Sequence, residues 1–323
     1  MKKQTPASAS AYNTRGQIYF QQEMYREAYA DFFRAAALAQ FEKDRKDCLF
    51  NLAVASERLQ LYRDAWEIYR DLPGNLDSAR QKTVQEKIRS LKRIRCRPRT
   101  VNIKCDDRRL EYILKPMLAD YGCLTKPVNL WWVERSQEVP ERIAVMEELF
   151  GVEPEKRVKN TVWSALSHFP RRREHFIFLV REDWKEARDD QLRGVIAHEL
   201  AHEEWKETGG DNLFSPLLAQ AVGFSCLEKI IDLLAVGKGY GWELSASRKR
   251  QEKKAGRSFS GASVFSAREI ALFVFTGELE EIVARQTRLI QELQTRPGTE
   301  LLVAEEREKL ADFKETLAYI TNH

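Results

Sequence analysis

Histidine is scarce in this chain, with five among 323 residues. Cysteine is equally sparse: Cys48, Cys96, Cys105, Cys123 and Cys226 are scattered, odd in number and without the C-x-x-C spacing of structural zinc sites. That argues against a disulfide framework and points to reduced thiols in a cytoplasmic protein; Cys96 and Cys105 are the pair that could face each other across a turn. No apolar run approaches the roughly 18 residues that span a bilayer, and "MKKQTPASASAYN" carries two lysines without the apolar stretch of a secretion signal. The sequence therefore predicts a protein with no membrane span that is not exported. An excess of one charge is also missing: 53 Lys and Arg face 49 Asp and Glu, and a net charge of +4 gives no reason to expect specific nucleic-acid binding. Partners have to be inferred from sites.

What is present is a hydrophobic content of 43%, enough for a substantial core, and a length that favours two domains. The first hundred residues repeat themselves. "MYREAYADFFRAA" (24–36) returns as "LYRDAWEIYRDL" (61–72), matching Tyr25, Ala28 and Phe32 to Tyr62, Ala65 and Tyr69 at an offset of 37 residues, and Gly16 to Ala53 upstream. Small residues at these positions let two antiparallel helices approach closely while aromatic and aliphatic side chains fill the groove, so each copy reads as a helical hairpin. The pattern resembles tetratricopeptide repeats over about residues 9–74, with Gly16, Tyr19, Tyr25, Ala28, Phe32 and Ala35 on the family positions of the first copy. The second copy departs at Ser56 and Leu72, and its spacing exceeds the usual 34 or so residues. An amphipathic segment at 73–94 is expected to cap the stack.

Basic "KRIRCRPRT" (92–100) reads as a solvated boundary. The expected organisation is a disordered terminus (1–8), tetratricopeptide-like repeats with their cap (9–95) and one further domain (96–323). In that domain β-rich runs at 99–105, 127–134, 161–169 and 174–182, with a helix at 107–122, predict a small mixed sheet. Helices follow at 188–207, with an aspartate N-cap, and at 215–237, 266–294 and 299–320, while the basic, Gly- and Ser-rich stretch 245–264 reads as a mobile connection. The fold class is thus α+β, predominantly helical.

Two of the five histidines fall in "RGVIAHELAHEEWKETGGDN" (193–212). Residues four apart on a helix are about 6 Å apart along its axis and point the same way, so His198 and His202 can grip one ion at Zn–N distances of about 2.0–2.1 Å. Glu199 leans off that face, where it need not be a ligand but can touch a water on the metal. Val195, Ile196, Ala197, Leu200 and Ala201 make the segment apolar, and unpaired imidazoles and a carboxylate inside a core would be costly. A third protein ligand is still required. "CLEKIID" supplies Glu228 and Asp232 one turn apart on an otherwise apolar helix, Glu228 as ligand and Asp232 as acceptor for a ligand histidine N–H. Asp211 is the rival third ligand, and salt bridges to Lys229 or arginines are the ordinary alternative for the two acids.

His198-Glu199-Leu200-Ala201-His202 followed by Glu228-x-x-x-Asp232 resembles the gluzincin metallopeptidases, and "EKIIDLLAVGKGYG" is similar to the family of CAAX-prenyl endopeptidases and their bacterial relatives. Ile231 stands where that family usually has alanine, and this chain lacks its transmembrane helices. The resemblance spans roughly residues 161–240. It implies a zincin-like domain with one catalytic Zn2+, which lowers the pKa of a bound water toward about 7, with Glu199 taking that proton and passing it to the leaving amine. It also implies that the strand before the motif helix is a sheet edge pairing with extended substrate, for which "HFIFLV" (175–180) is the candidate. Tyr240, His168 and His175 are candidate oxyanion donors. The function expected is a soluble zinc endopeptidase acting on a protein or peptide, with the repeats binding a protein partner or docking on the catalytic domain. The alternative is a catalytically silent zincin-like binding module, against which an intact Glu199 speaks.

Overall fold

In a computed structural model, the protein is described over residues 7–72, 78–94, 103–105, 107–122, 124–134, 165–168, 174–208, 224–256, 258, 265–271 and 276–321; the side chains of 78–79, 92–94, 103–104, 165–168, 224–227, 276–278 and 319–321 lie outside this set. Two compact units emerge, residues 1–100 with 276–323 and residues 101–275.

The first unit begins with consecutive helices α1 (Ala9–Gln21), α2 (Tyr25–Leu38), α3 (Glu42–Arg58), α4 (Tyr62–Asp71) and α5 (Ser78–Ile94), each packed on the next. Ser8 caps α1 by accepting from the Ala11 N–H, so the chain is already ordered there. The 37-residue period governs the backbone as well as the side chains. Glu23 and Gln60 both adopt left-handed conformations (φ 61° and 60°) after α1 and α3. Around each, two hydrogen bonds repeat: Met24 N–H to Tyr19 O and Leu61 N–H to Ser56 O, both 2.9 Å, with Glu23 to Phe20 and Gln60 to Glu57 closing the shorter ring. These are Schellman-type helix ends with a glutamate and a glutamine where glycine is usual. The small residues serve the close approach anticipated for them. A Cβ on Gly16 would lie 2.8 Å from the Phe32 ring, and Ala28, Ala53 and Ala65 are completely buried. Val84 and Leu91 of α5 close the core around Ala53, Ala65 and Tyr69.

The C-terminal helices α11 (Thr276–Gln294) and α12 (Glu300–Thr321) belong to this same unit, which corrects the expectation that residues 96–323 form one domain. The reason is ionic. Arg15 on α1, 2% exposed, makes a bidentate bridge to Asp31 (2.6 and 2.8 Å) and reaches Glu305 (2.9 Å) and Glu306 (2.8 Å) on α12. Lys309 and Gln286 complete Glu306. A buried cation needs such full compensation, and three carboxylates with two cations supply it.

The second unit holds a four-stranded sheet of β1 (Ile103–Cys105), β2 (Val128–Val133), β3 (Ala165–His168) and β4 (His175–Val180) in the order β1-β2-β4-β3. β1, β2 and β4 run parallel, while β3 is antiparallel to β4 through Ala165↔Leu179 to His168↔Phe176. The strand expected at the edge, 175–180, is therefore interior, which its complete burial explains: every residue from His175 to Val180 is covered. The edge beside it is β3, which packs on helix α7 (Asp189–Glu207). Before the sheet's second strand, α6 (Arg108–Met117) is capped by Asp107, which accepts from the Arg109 N–H (2.7 Å) and the Trp132 indole (3.0 Å).

Helix α7 starts at Asp189 with Arg188 in the cap position, so the expected aspartate cap is instead a first-turn residue held by Arg109. Next described come α8 (Phe224–Ala235), a π-turn over Val236–Tyr240 with Gly239 at φ 85°, and α9 (Gly241–Ala255). Residues 215–223 of the expected helix lie outside the described residues. The stretch read as a mobile connection from 245 is helical to Ala255, with Leu244, Ser245, Ser247 and Arg248 buried against α7 and its neighbours. Its contact with α7 is unusually close: a Cβ on Gly194 would sit 2.0 Å from the Glu243 carbonyl oxygen. Of the expected helix over 266–294, α10 (Ala267–Ala271), in the second unit, and α11 are helical, and residues 272–275 lie outside the described residues. Among the described residues, no helix is long and apolar enough to cross a membrane.

Candidate metal centre

The face of α7 that carries chemistry is pressed into the unit's interior. Leu192, Ile196, Ala197, Leu200 and Ala201 are wholly buried, and His198 and Glu199 are each only 6% exposed. The helix presents His198 and His202 side by side with Nε2 atoms 3.2 Å apart. Across from them α8 brings Glu228, whose Oε2 lies 3.2 Å from His198 Nε2 and 3.5 Å from His202 Nε2. An ion bound tetrahedrally at about 2.0–2.1 Å separates its ligand atoms by about 3.3–3.4 Å. The three observed edges match one face of that tetrahedron, and His198, His202 and Glu228 are the group of described residues able to hold a metal ion. Asp211, the rival for the third position, lies outside the described residues.

Asp232, completely buried, sits one turn beyond Glu228 and accepts from His198 Nδ1 at 2.8 Å, which fixes Nε2 as the free, ligating nitrogen. Its remaining capacity is taken by Arg248 of α9 (2.9 Å) and the Phe265 N–H (3.2 Å). Arg248 thus adds a second ionic partner to a carboxylate buried beside His198. Sequence reading missed it, because a segment rich in Lys, Arg and Ser suggested a loop. A signal was available: Gly241, Leu244, Ser245 and Arg248 share the three-and-four spacing of one helical face.

The electrostatics follow this geometry. Burial opposes charge on His198, yet the hydrogen bonds to Asp232 and Glu228 outweigh it and push its pKa up to about 9. For Glu228, burial again works against ionisation, but His198 and His202 hold its carboxyl far below the usual range. Asp232 is likewise lowered, against burial, by Arg248 and His198. These shifts come from the pairing of two buried acids with His198, His202 and Arg248 around the point where the three candidate ligand atoms converge. Glu199, next to His198 in sequence, is buried, and its carboxylate makes no hydrogen bond or ion pair to a described residue.

The candidate oxyanion donors fare differently. Tyr240 is buried and donates its hydroxyl to Asp120 Oδ2 at 2.6 Å, so it is spent behind the site. His175 is fully buried with both ring nitrogens engaged by Glu203 and Glu207. Both expectations are corrected. His168 lies on the edge strand β3, and its side chain is outside the described residues. Whether Cys96 and Cys105 face each other across a turn also falls outside them, since Cys96 is not described. Comparisons of the chain with protein-family models, with curated proteins and with solved structures found no match.

Proposed function

We propose that the chain is a zinc-dependent endopeptidase whose metal is held by His198, His202 and Glu228 and whose general base is Glu199. The observation that carries this reading is the triangle of candidate ligand atoms at 3.2, 3.2 and 3.5 Å, with a buried carboxylate on the residue after the first of them. A zinc ion bound there supplies Lewis acidity and brings the pKa of a coordinated water down toward about 7. The protein's own groups do the rest. Asp232, steadied by Arg248, holds the His198 tautomer; Glu199 accepts a proton and returns it to the leaving amine. β3 pairs on one side with β4, and its other edge is assigned to an extended peptide substrate. The helical hairpins of residues 9–94 are assigned to binding a protein partner, in keeping with the surfaces such stacks present.

The test is twofold. Purified protein should carry one zinc equivalent that is lost in His202→Ala and Glu228→Gln. Incubated with a cell proteome, wild type should generate new peptide termini and Glu199→Gln should not, although it retains the metal. Cleavage persisting in metal-loaded Glu199→Gln would sink the reading.

A further inference from the structure

The motif helix carries a second pair of acids one turn apart, Glu203 and Glu207, immediately beyond the two histidines. They close on His175, the first residue of β4: Nδ1 meets Glu203 Oε2 at 2.5 Å and Nε2 meets Glu207 Oε2 at 2.6 Å. Each ring nitrogen thus lies within hydrogen-bonding distance of one carboxylate, so the ring is clamped between the two acids. His175 and Glu203 are completely buried. Each carboxylate has a further partner, Lys206 for Glu203 (2.8 Å) and the Thr125 N–H and hydroxyl for Glu207 (2.9 Å for the N–H). Burial works against ionisation of Glu203, but Lys206 and His175 hold its pKa down at about 2.

The two ligand histidines are supported unequally. His198 is gripped at Nδ1 by Asp232. Among the described residues, the polar partners of His202 are His198 and Glu228, both at Nε2, and none fixes its Nδ1. It is also the more exposed of the two, its side chain 16% accessible against 7%. Its aim must therefore come from the backbone that bears it, and the residue that follows it is Glu203. On a helix the rotation and tilt of one turn are transmitted rigidly to the next, so pinning Glu203 and Glu207 to the sheet pins the Cα–Cβ direction of His202.

We infer that His175 is a positioning residue for the metal centre: its ring, held between Glu203 and Glu207, locks the end of α7 to the sheet and so aims His202 at the site. This rests on the metal reading given above and extends it by assigning the support that His202 lacks. The clamp replaces a direct hydrogen bond to the ligand with a rigid connection through one turn of helix. It also gives His175 a role unrelated to oxyanion binding.

Cobalt(II) titration of the full chain tests this, because the visible spectrum reports the number and geometry of ligands. Wild type should give the intense absorption of a four-coordinate ion. Loss of a supporting contact around a metal costs about 10- to 100-fold in affinity, and His175→Gln should weaken cobalt binding by about tenfold, with a weaker and shifted spectrum showing a loosened His202. Glu207→Gln, which breaks one arm at a less buried position, should do the same to a smaller degree and serves if His175→Gln does not fold. Arg109→Met removes a comparable anchor from the other end of α7; it should lower thermal stability while leaving the cobalt spectrum unchanged. Wild-type spectra and affinities in folded His175→Gln, or in Glu207→Gln, overturn the clamp's role. A wild-type chain that takes up no cobalt overturns the metal centre itself, and the clamp's role with it.

Discussion

Gly194 offers a test in which two physical arguments give opposite signs. It lies in the middle of a 19-residue helix, and replacing an interior helical glycine by alanine ordinarily stabilises by about 1 kcal/mol. Here, however, the added methyl would stand 2.0 Å from the Glu243 carbonyl oxygen, 2.4 Å from its carbon and 2.8 Å from the Leu244 nitrogen. All three are backbone atoms, so no side-chain rotation relieves the overlap, and α9 would have to withdraw by more than about 1 Å. Overpacking a tight contact costs about 1–3 kcal/mol and more when backbone must move, so Gly194→Ala should lose about 3 kcal/mol despite its better propensity. The displacement would also draw Arg248 away from Asp232, coupling stability to the metal centre. Urea unfolding followed by tryptophan fluorescence, with Trp205 and Trp242 flanking the contact in sequence, measures the midpoint shift directly. A variant as stable as wild type, or more so, would refute the close-approach argument.

Three further outcomes are expected. In metal-free protein the His198 pKa is raised from 6.5 to about 9, so its stabilising charge is complete below about 6.5 and is lost as pH climbs through 9. Chelator-treated wild type should lose up to about 3 kcal/mol over that interval, at roughly 1.4 kcal/mol per pKa unit, and His198→Ala should show a flatter profile in the same urea series. Asp232→Asn should lower zinc affinity by about 10- to 100-fold in a competitive chelator titration, because it weakens the grip on His198 and leaves Arg248 short of its counter-charge. Gln60→Gly should stabilise by about 0.5–1 kcal/mol or be neutral, since a left-handed side-chain residue costs about 1–2 kcal/mol and glycine returns part of that as chain entropy; thermal midpoints compared with Arg63→Gly, within a helix and expected to destabilise, check the sign.

The repeat was legible because one set of packing demands recurs every 37 residues, and the same period reappears in backbone turns at Glu23 and Gln60 that no side-chain pattern announces. The candidate metal-holding group was legible because a pincer on a helix needs residues four apart, and His198 with His202 and Glu228 with Asp232 both have that spacing. Strand order was not. The residues of β4 are buried on both faces, and continuous apolarity says that a strand is covered without saying which strands flank it. The partners of His175 were hidden by distance along the chain, 28 and 32 residues away, and read alone it looked like a spare donor. Helix α9 was misread because its buried face is built from Gly241, Ser245, Ser247 and Arg248, which make a sound interface only when Gly194 and Asp232 are opposite them. Such complementarity lives in the pair of surfaces and leaves little trace in either sequence.

The ionic junction at Arg15 has a consequence in time. Its partners Glu305 and Glu306 are 290 and 291 residues further along the chain, and synthesis proceeds at about 5–20 residues per second. For about 15–60 s a nascent chain holds the first helices while the carboxylates that complete this cluster do not yet exist. The unit that starts first is therefore finished last, after the metal-binding residues have already been made, and a ribosome that stalls before residue 305 leaves a guanidinium meant for burial facing water.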